Sequence, residues 1–259
     1  MSISANDPAE LLALAIRTAE AAGALLVQRP EHFAVNQKSS AVDFATQMDH
    51  ASEKLIVEQL LAARPNDGVI GEEGSARRSK SGITWVIDPL DGTVNYFYGL
   101  PGWNVSIAAK DEEGVLVGAV YAPTARTLWS ASRGGGAYQN GIPIRCNDPV
   151  SLDRALISTG FSYDLALRTE QGARIARLIP QIRDLRRIGA AAVDLCHVAS
   201  GMVDGYFEAS LNEWDLAAGG LIASEAGAIV TGRSGQAPNQ EMVIAAGPVL
   251  HSQLMAVVD

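Results

Sequence analysis

The stretch WVIDPLDGT, residues 85–93, constrains the fold more than any other part of the chain. Trp85, Val86 and Ile87 form an apolar run suited to the interior of a sheet, yet the run ends in two carboxylates, Asp88 and Asp91. A carboxylate taken out of water is costly unless a cation or several hydrogen-bond donors meet it. A fold that buries this run must therefore bring a partner to its end, and the partner expected here is a divalent cation.

The surrounding pattern shows what kind of layer the run belongs to. Residues 8–28 carry Leu11, Leu12, Ala15, Ile16, Ala19, Ala22 and Leu26 at three-and-four spacing, which predicts an amphipathic helix running towards Pro30. A second helix is expected over about 46–63, opened by Thr46 and Asp49 in a Ser/Thr-x-x-acid arrangement. From residue 68 the chain changes to short apolar runs separated by turn residues, which reads as a sheet. Asn140-Gly141 between strand-like flanks signals a two-residue hairpin. After Pro149 strands and helices alternate: a strand near ALISTGF, helices over about 169–183 and AAAVDLCHVASG, a strand at GYFEA, a helix over DLAAGGLIASEAG, a strand at MVIAAG and a final helix from Pro248. This interleaving implies a layered α/β architecture. With no repeat and no long linker, residues 1–259 are expected to form one unit, its halves (about 1–147 and 148–259) meeting near 145–150.

Composition narrows the chemistry. Two cysteines, Cys146 and Cys196, make no disulfide framework, and the four histidines show no paired metal-ligand spacing, so zinc and thiol chemistry are disfavoured. A net charge of −9 argues against nucleic acid as a partner, because affinity for phosphodiesters comes largely from Lys and Arg. The N-terminal residues lack the basic and apolar regions of a signal peptide, and no run reaches the roughly 18 apolar residues of a membrane span. A cytoplasmic location is the expectation. If such an acidic protein handles a phosphate, something else must supply positive charge.

Five acids fall at expected strand ends or helix starts: Glu72 and Glu73 in VIGEEG, Asp88 and Asp91, and Asp215 in NEWDLAAGG. Acids converging from separate segments without His or Cys suit a hard ion such as Mg2+, which takes oxygen ligands. Pro89 favours a tight turn in which both aspartates and the Leu90 carbonyl could face one place. Gly92-Thr93 then resembles the first turn of a short helix, where backbone N–H groups favour an anion such as phosphate. Each acid also has a simpler use: Asp49 and Asp215 as helix caps, Glu72-Glu73 as a solvated turn. Lys38 and Lys110 are expected to be solvated.

Taken in register, KSSAVDFATQMD (38–49), GEE (71–73), WVIDPLDGTVNYFYGLP (85–101), GGGAYQNGIPI (134–144), GAAAVDLCHVASGMVDGYFE (189–208) and WDLAAGG (214–220) resemble the inositol monophosphatase family of Mg2+-dependent, often lithium-sensitive phosphatases. The resemblance implies a five-layered αβαβα sandwich, also seen in fructose-1,6-bisphosphatases, that is usually a homodimer with its site between the two halves. It implies Glu72, Asp88 and the Leu90 carbonyl as ligands of one Mg2+, and Asp88, Asp91 and Asp215 as ligands of a second. A third, weaker ion would lie on Glu72. Glu72 and Thr93 would activate the attacking water, with Asp49 supporting Thr93. Gly92 and Thr93 would receive the phosphate, and Asp91, Ala191, Glu208 and Asp215 would contact the substrate.

The expected reaction is hydrolysis of a phosphomonoester, inositol 1-phosphate first among the candidates. Histidinol phosphate and fructose-1,6-bisphosphate are alternatives on the same scaffold. Arg168, Arg174, Arg177, Arg183, Arg186 and Arg187 are the candidates for holding a second phosphate. A regulatory protein that docks on RNA or a transcription complex is the non-enzymatic alternative.

Overall fold

The computed structural model describes residues 6–40 and 43–259, so part of the 38–49 motif lies outside the described residues. The first half contains α1 (Pro8–Val27), β1 (Val35–Ser40), β2 (Asp43–Thr46), α2 (Gln47–Ala63), β3 (Gly68–Gly71), β4 (Ala76–Arg77), β5 (Thr84–Asp91) and α3 (Thr93–Tyr98). It continues with β6 (Asn104–Asp111), β7 (Gly114–Ala122), β8 (Thr127–Ser132), β9 (Gly136–Gln139) and β10 (Ile142–Pro143). The second half contains β11 (Leu156–Thr159), α4 (Leu165–Leu178), β12 (Asp184–Arg186), α5 (Ala191–Ala199), β13 (Gly205–Glu208), α6 (Glu213–Glu225), β14 (Ile229–Thr231), β15 (Val243–Ala246) and α7 (Pro248–Val258).

Side-chain alternation along the strands generates the layers. In the eight-stranded sheet, ordered β10-β9-β8-β7-β6-β5-β3-β4, one face presents Trp85, Ile87, Val105, Ile107, Val117 and Ala119 to Leu11, Ala15, Ile56 and Leu60 of α1 and α2. The opposite face presents Val86, Ala108 and Val120 to α5 and α6. Those two helices also cover Tyr206, Val243 and Ala245 of the five-stranded sheet, ordered β12-β11-β13-β15-β14. The far face of that sheet, with Ile157, Phe207 and Ile244, packs on α4 and α7 through Leu178, Leu250 and Leu254. The sequence of layers is αβαβα, as the resemblance implied. Gly118 allows the central layer to close, since a Cβ there would stand 2.9 Å from the Ala218 Cα of α6.

The Asn140-Gly141 hairpin forms, joining β9 to β10 with both residues at positive φ. Helix α4 differs from the expected 169–183: it starts at Leu165 because Asp164 caps it, its side chain accepting from Leu167 N, and Pro180 lies in a following 3-10 turn. Strands β1, β2, β4, β12 and β14 lie outside the strands expected from the sequence, because VNQKSS is polar and the other four are only two to four residues long without an alternating apolar run. Among the described residues no helix is long and apolar enough to cross a membrane.

Candidate active site

A local irregularity of β5 builds the site. Asp88 pairs with Ser106 of β6 and Asp91 with Asn104, so three steps along β5 oppose two along β6. In a regular strand, side chains three apart point to opposite faces. The bulge restores Asp91 to the same face as Asp88, while Leu90 is buried with Ile87 under α1 and α2. Pro89 sits in this bulge, where a strand tolerates a missing N–H.

Both aspartates open into a cavity of about 420 Å³ between the two sheets, lined also by Lys38, Glu72, Leu90, Gly92, Thr93, Arg187, Ala191, Glu208 and Asp215. Every site residue expected from the sequence lines this cavity except Asp49, which is fully buried behind it in the first turn of α2, and Glu73, whose carboxylate is turned to Lys38. Of the six arginines considered for a second phosphate, only Arg187 reaches the cavity wall. Arg168 is turned to the Ser162 carbonyl and Arg174 is buried on α4.

The helix-cap readings prove compatible with the site. Asp49 closes a capping box with Thr46 and also accepts a 2.9 Å hydrogen bond from Thr93 Oγ1 through its other oxygen. Asp215 closes a box with Asn212 at the start of α6 and still faces the cavity. Asp91 Oδ2 accepts from Asn104 Nδ2 at 2.7 Å and from Ala192 N at 2.9 Å, which ties β5 to the start of α5. Asp88 Oδ1 accepts from Leu90 N.

Electrostatics shows what the cluster lacks. Burial raises the pKa of Asp88, and the neighbouring Glu72, Asp91 and Asp215 raise it further. Asp215 is raised by burial and then by Asp91 and Glu72. Burial also raises Asp91, against the opposing effect of its hydrogen-bond donors. Lys38 is no solvated surface charge: its Nζ lies 2.9 Å from Glu72 and 2.5 Å from Glu73, and these acids hold its pKa up although burial works against the charge. It touches only the outer edge of the cluster, leaving the buried acids in mutual repulsion.

Among the described residues no group of three or more His, Cys, Asp and Glu side chains is drawn together tightly enough to hold an ion alone. The donor set nevertheless fits a hard dication, because it offers carboxylates in a desolvated, mutually repelling cluster beside a main-chain carbonyl, with room for water and substrate oxygens to complete the shell.

At the β13 side of the cavity Glu208 accepts from Tyr206 Oη at 2.7 Å. Burial raises its pKa to about 7, against Tyr206 and Arg187, which lower it. Asn104 and Tyr206 carry no signal in the sequence, while Lys38 reads there as a solvated charge and Arg187 as one of six candidates for a second phosphate.

The layered fold and its acid-lined cavity, taken with the matches that follow, define a phosphoric monoester hydrolase. The model of the inositol monophosphatase family matches residues 7–259. The chain is 39% identical to an inositol-1-monophosphatase of Mycobacterium leprae, covering 99% of this chain and 96% of that protein. It is 42% identical to the Nus factor SuhB of Pasteurella multocida, covering 85% of this chain and 84% of that protein. The crystal structure of the extragenic suppressor protein suhB from Bartonella henselae superposes with a TM-score of 0.92 at 31% identity, covering 96% and 98% of the two chains. The chain belongs to the inositol monophosphatase family.

Proposed function

We propose that this phosphatase is a Mg2+-dependent inositol-1-monophosphatase. The observation that carries the reading is the convergence of Glu72, Asp88, Asp91 and Asp215 on one cavity, where burial raises the pKa of all four and the neighbouring acids raise Asp88 and Asp215 further. Glu72, Asp88, the Leu90 carbonyl, Asp91 and Asp215 would hold two or three Mg2+ ions. When bound, such ions balance the charge of acids and phosphate and bring a water's pKa down towards neutrality.

The chain's own residues supply orientation and proton handling. Asp49, fixed by Thr46, holds the Thr93 hydroxyl. With its proton directed at Asp49 or the Leu90 carbonyl, Thr93 Oγ1 keeps a lone pair for a proton of the attacking water, and Glu72 stands at the same cavity wall. The water oxygen bonds to phosphorus as the ester P–O bond breaks with its electron pair passing to the alcohol oxygen, and the water's two protons end one on the released alcohol and one on the phosphate. Gly92 and Thr93 at the start of α3 would receive the phosphate, and Ala191, Glu208 and Asp215 would meet the alcohol portion.

Phosphate release with and without Mg2+ across inositol 1-phosphate, histidinol phosphate, fructose-1,6-bisphosphate and 3'-phosphoadenosine 5'-phosphate tests this. A Mg2+-dependent preference for inositol 1-phosphate is expected; preference for another ester refutes the substrate, and inactivity on all four refutes the reading. The cavity draws residues from both halves of the chain, which supports treating residues 1–259 as one working unit. We infer a homodimer in the cytoplasm, for which sedimentation of the purified protein tests the dimer.

A regulatory docking role is the second reading, favoured by relatives named Nus factor SuhB. Capture of a transcription complex equally by wild type and by Asp91→Asn would support it, because docking does not require the acids of the cavity.

A further inference from the structure

We propose that Gly160 is a positioning residue that seats Glu208, and thereby sets how the cavity reads the alcohol portion of its substrate. Glu208 is the last residue of β13, where parallel pairing matches Thr159 of β11 with Phe207, so Gly160 is the next residue along beside Glu208. The carboxyl of Glu208 folds across Gly160. A Cβ built on Gly160 would stand 2.0 Å from Glu208 Oε2, 2.1 Å from Oε1 and 2.2 Å from Cδ, well inside van der Waals contact. Gly160 is absent from the glycines at positive φ, so its backbone accommodates an L-residue and the need for glycine is one of space.

The carboxyl can move aside only into the cavity it lines, and doing so gives up its hydrogen bond. Tyr206, two residues earlier on the same face of β13, is fully buried and donates from Oη to Glu208 Oε2 at 2.7 Å. Tyr206 therefore fixes the carboxyl from one direction, while the empty space above Gly160 admits it from another. Both Gly160 and Glu208 line a narrow crevice behind the main cavity, next to Thr159 and Phe207. The Thr159 hydroxyl donates to the Phe207 carbonyl at 2.7 Å, holding the two strands at this spacing. A methyl group at position 160 would displace the Glu208 carboxyl from Tyr206 while leaving the strands paired.

This rests on the reading of Glu208 as the group that meets the alcohol portion. The test is a double-mutant cycle of Gly160→Ala and Glu208→Ala, read in KM and kcat for inositol 1-phosphate and in melting temperature. Alone, Gly160→Ala is expected to raise KM about tenfold with a smaller change in kcat, the scale of one hydrogen bond to a charged group. It is also expected to lower the melting temperature. Added to Glu208→Ala, it should change KM by less than about twofold and leave the melting temperature where Glu208→Ala puts it, since the conflicting carboxyl is gone.

Equal effects with and without Glu208, or no effect of Gly160→Ala in either readout, would overturn the proposal. If Gly160→Ala fails to fold, recovery of folding in the double variant supports the steric conflict, and failure of the double variant refutes it. If Glu208→Ala itself leaves KM unmoved, the reading of Glu208 as the alcohol-facing group fails, and the melting-temperature cycle still decides whether Gly160 seats it.

Discussion

The Thr93 hydroxyl lies 2.9 Å from Asp49 Oδ1 and 3.1 Å from the Leu90 carbonyl oxygen. This joins the first residue of α3 to the buried first turn of α2 across 44 residues of chain. A hydroxyl held by a carboxylate on one side and facing the cavity on the other has the geometry of a group that orients water. Thr93→Ala should therefore lower kcat by about 10²–10⁴-fold, the range for a positioned proton-transfer group. Thr93→Ser keeps the hydroxyl and should stay within about tenfold of wild type. Steady-state phosphate release separates the two variants, and equal losses would refute the role of the hydroxyl.

Asp91→Asn should abolish most activity while preserving the fold. The amide oxygen can keep the acceptor position that now serves Asn104 Nδ2 and Ala192 N. The substitution removes one charge from a cluster in which Asp91 raises the pKa of both Asp88 and Asp215. Melting of the metal-free variant is expected at or above the wild-type temperature, with activity at saturating Mg2+ reduced at least about 100-fold. Wild-type turnover in this variant would contradict the metal assignment.

His197 makes stability fall on the acid side. It sits half-buried on α5 with its ring 5.8 Å from that of Trp129, and burial lowers its pKa from 6.5 to about 4. The unfolded chain takes up this proton first as pH falls, so the unfolded state gains between the two values. The contribution of His197 is full above pH 6.5 and is lost progressively towards pH 4. Its slope is at most about 1.4 kcal/mol per pH unit. Denaturant melts of His197→Gln at pH 7 and pH 5 should show a smaller acid-side loss than wild type; an unchanged loss would exclude this group.

Gly118→Ala tests the central layer. The added methyl would meet Ala218 of α6 at 2.9 Å from Cα and 3.0 Å from the carbonyl oxygen. Overpacking of this kind costs about 1–3 kcal/mol. Because α6 carries Asp215, the melting temperature and the apparent Mg2+ affinity should fall together, and calorimetry with a Mg2+-dependent assay checks both.

Much of the site was readable because its acids occupy positions where a bland role and a functional one look alike until several are taken together. Asp49 closes a capping box behind Thr46 as its pattern suggests, whereas Asp215 is not the N-cap of its helix but the third residue behind the cap Asn212, and it also faces the cavity. The bulge that turns Asp91 to the side of Asp88 was not readable, since a tight turn at Pro89 accounts for the same letters and only the pairing with β6 distinguishes them. Lys38 reads as a surface lysine because its partners, Glu72 and Glu73, lie 34 and 35 residues away. Gly160 carries no sequence signal: it has neither a turn motif nor a positive φ, and its meaning comes from the side chain of Glu208 on a neighbouring strand. The start of α4 was legible in principle, as Asp164 is a good N-cap residue followed by Leu165.

The central claim is that buried acids hold cations and that the cations let an acidic protein act on an anionic ester. The most direct measurement is calorimetric titration of Mg2+ into chelator-treated protein, with phosphate release from inositol 1-phosphate followed over the same concentrations. Binding of at least two Mg2+ per chain, with activity rising in step and both lost in Asp91→Asn, is the predicted result. Full activity in the presence of chelator, or no Mg2+ binding by the wild-type protein, would contradict the account.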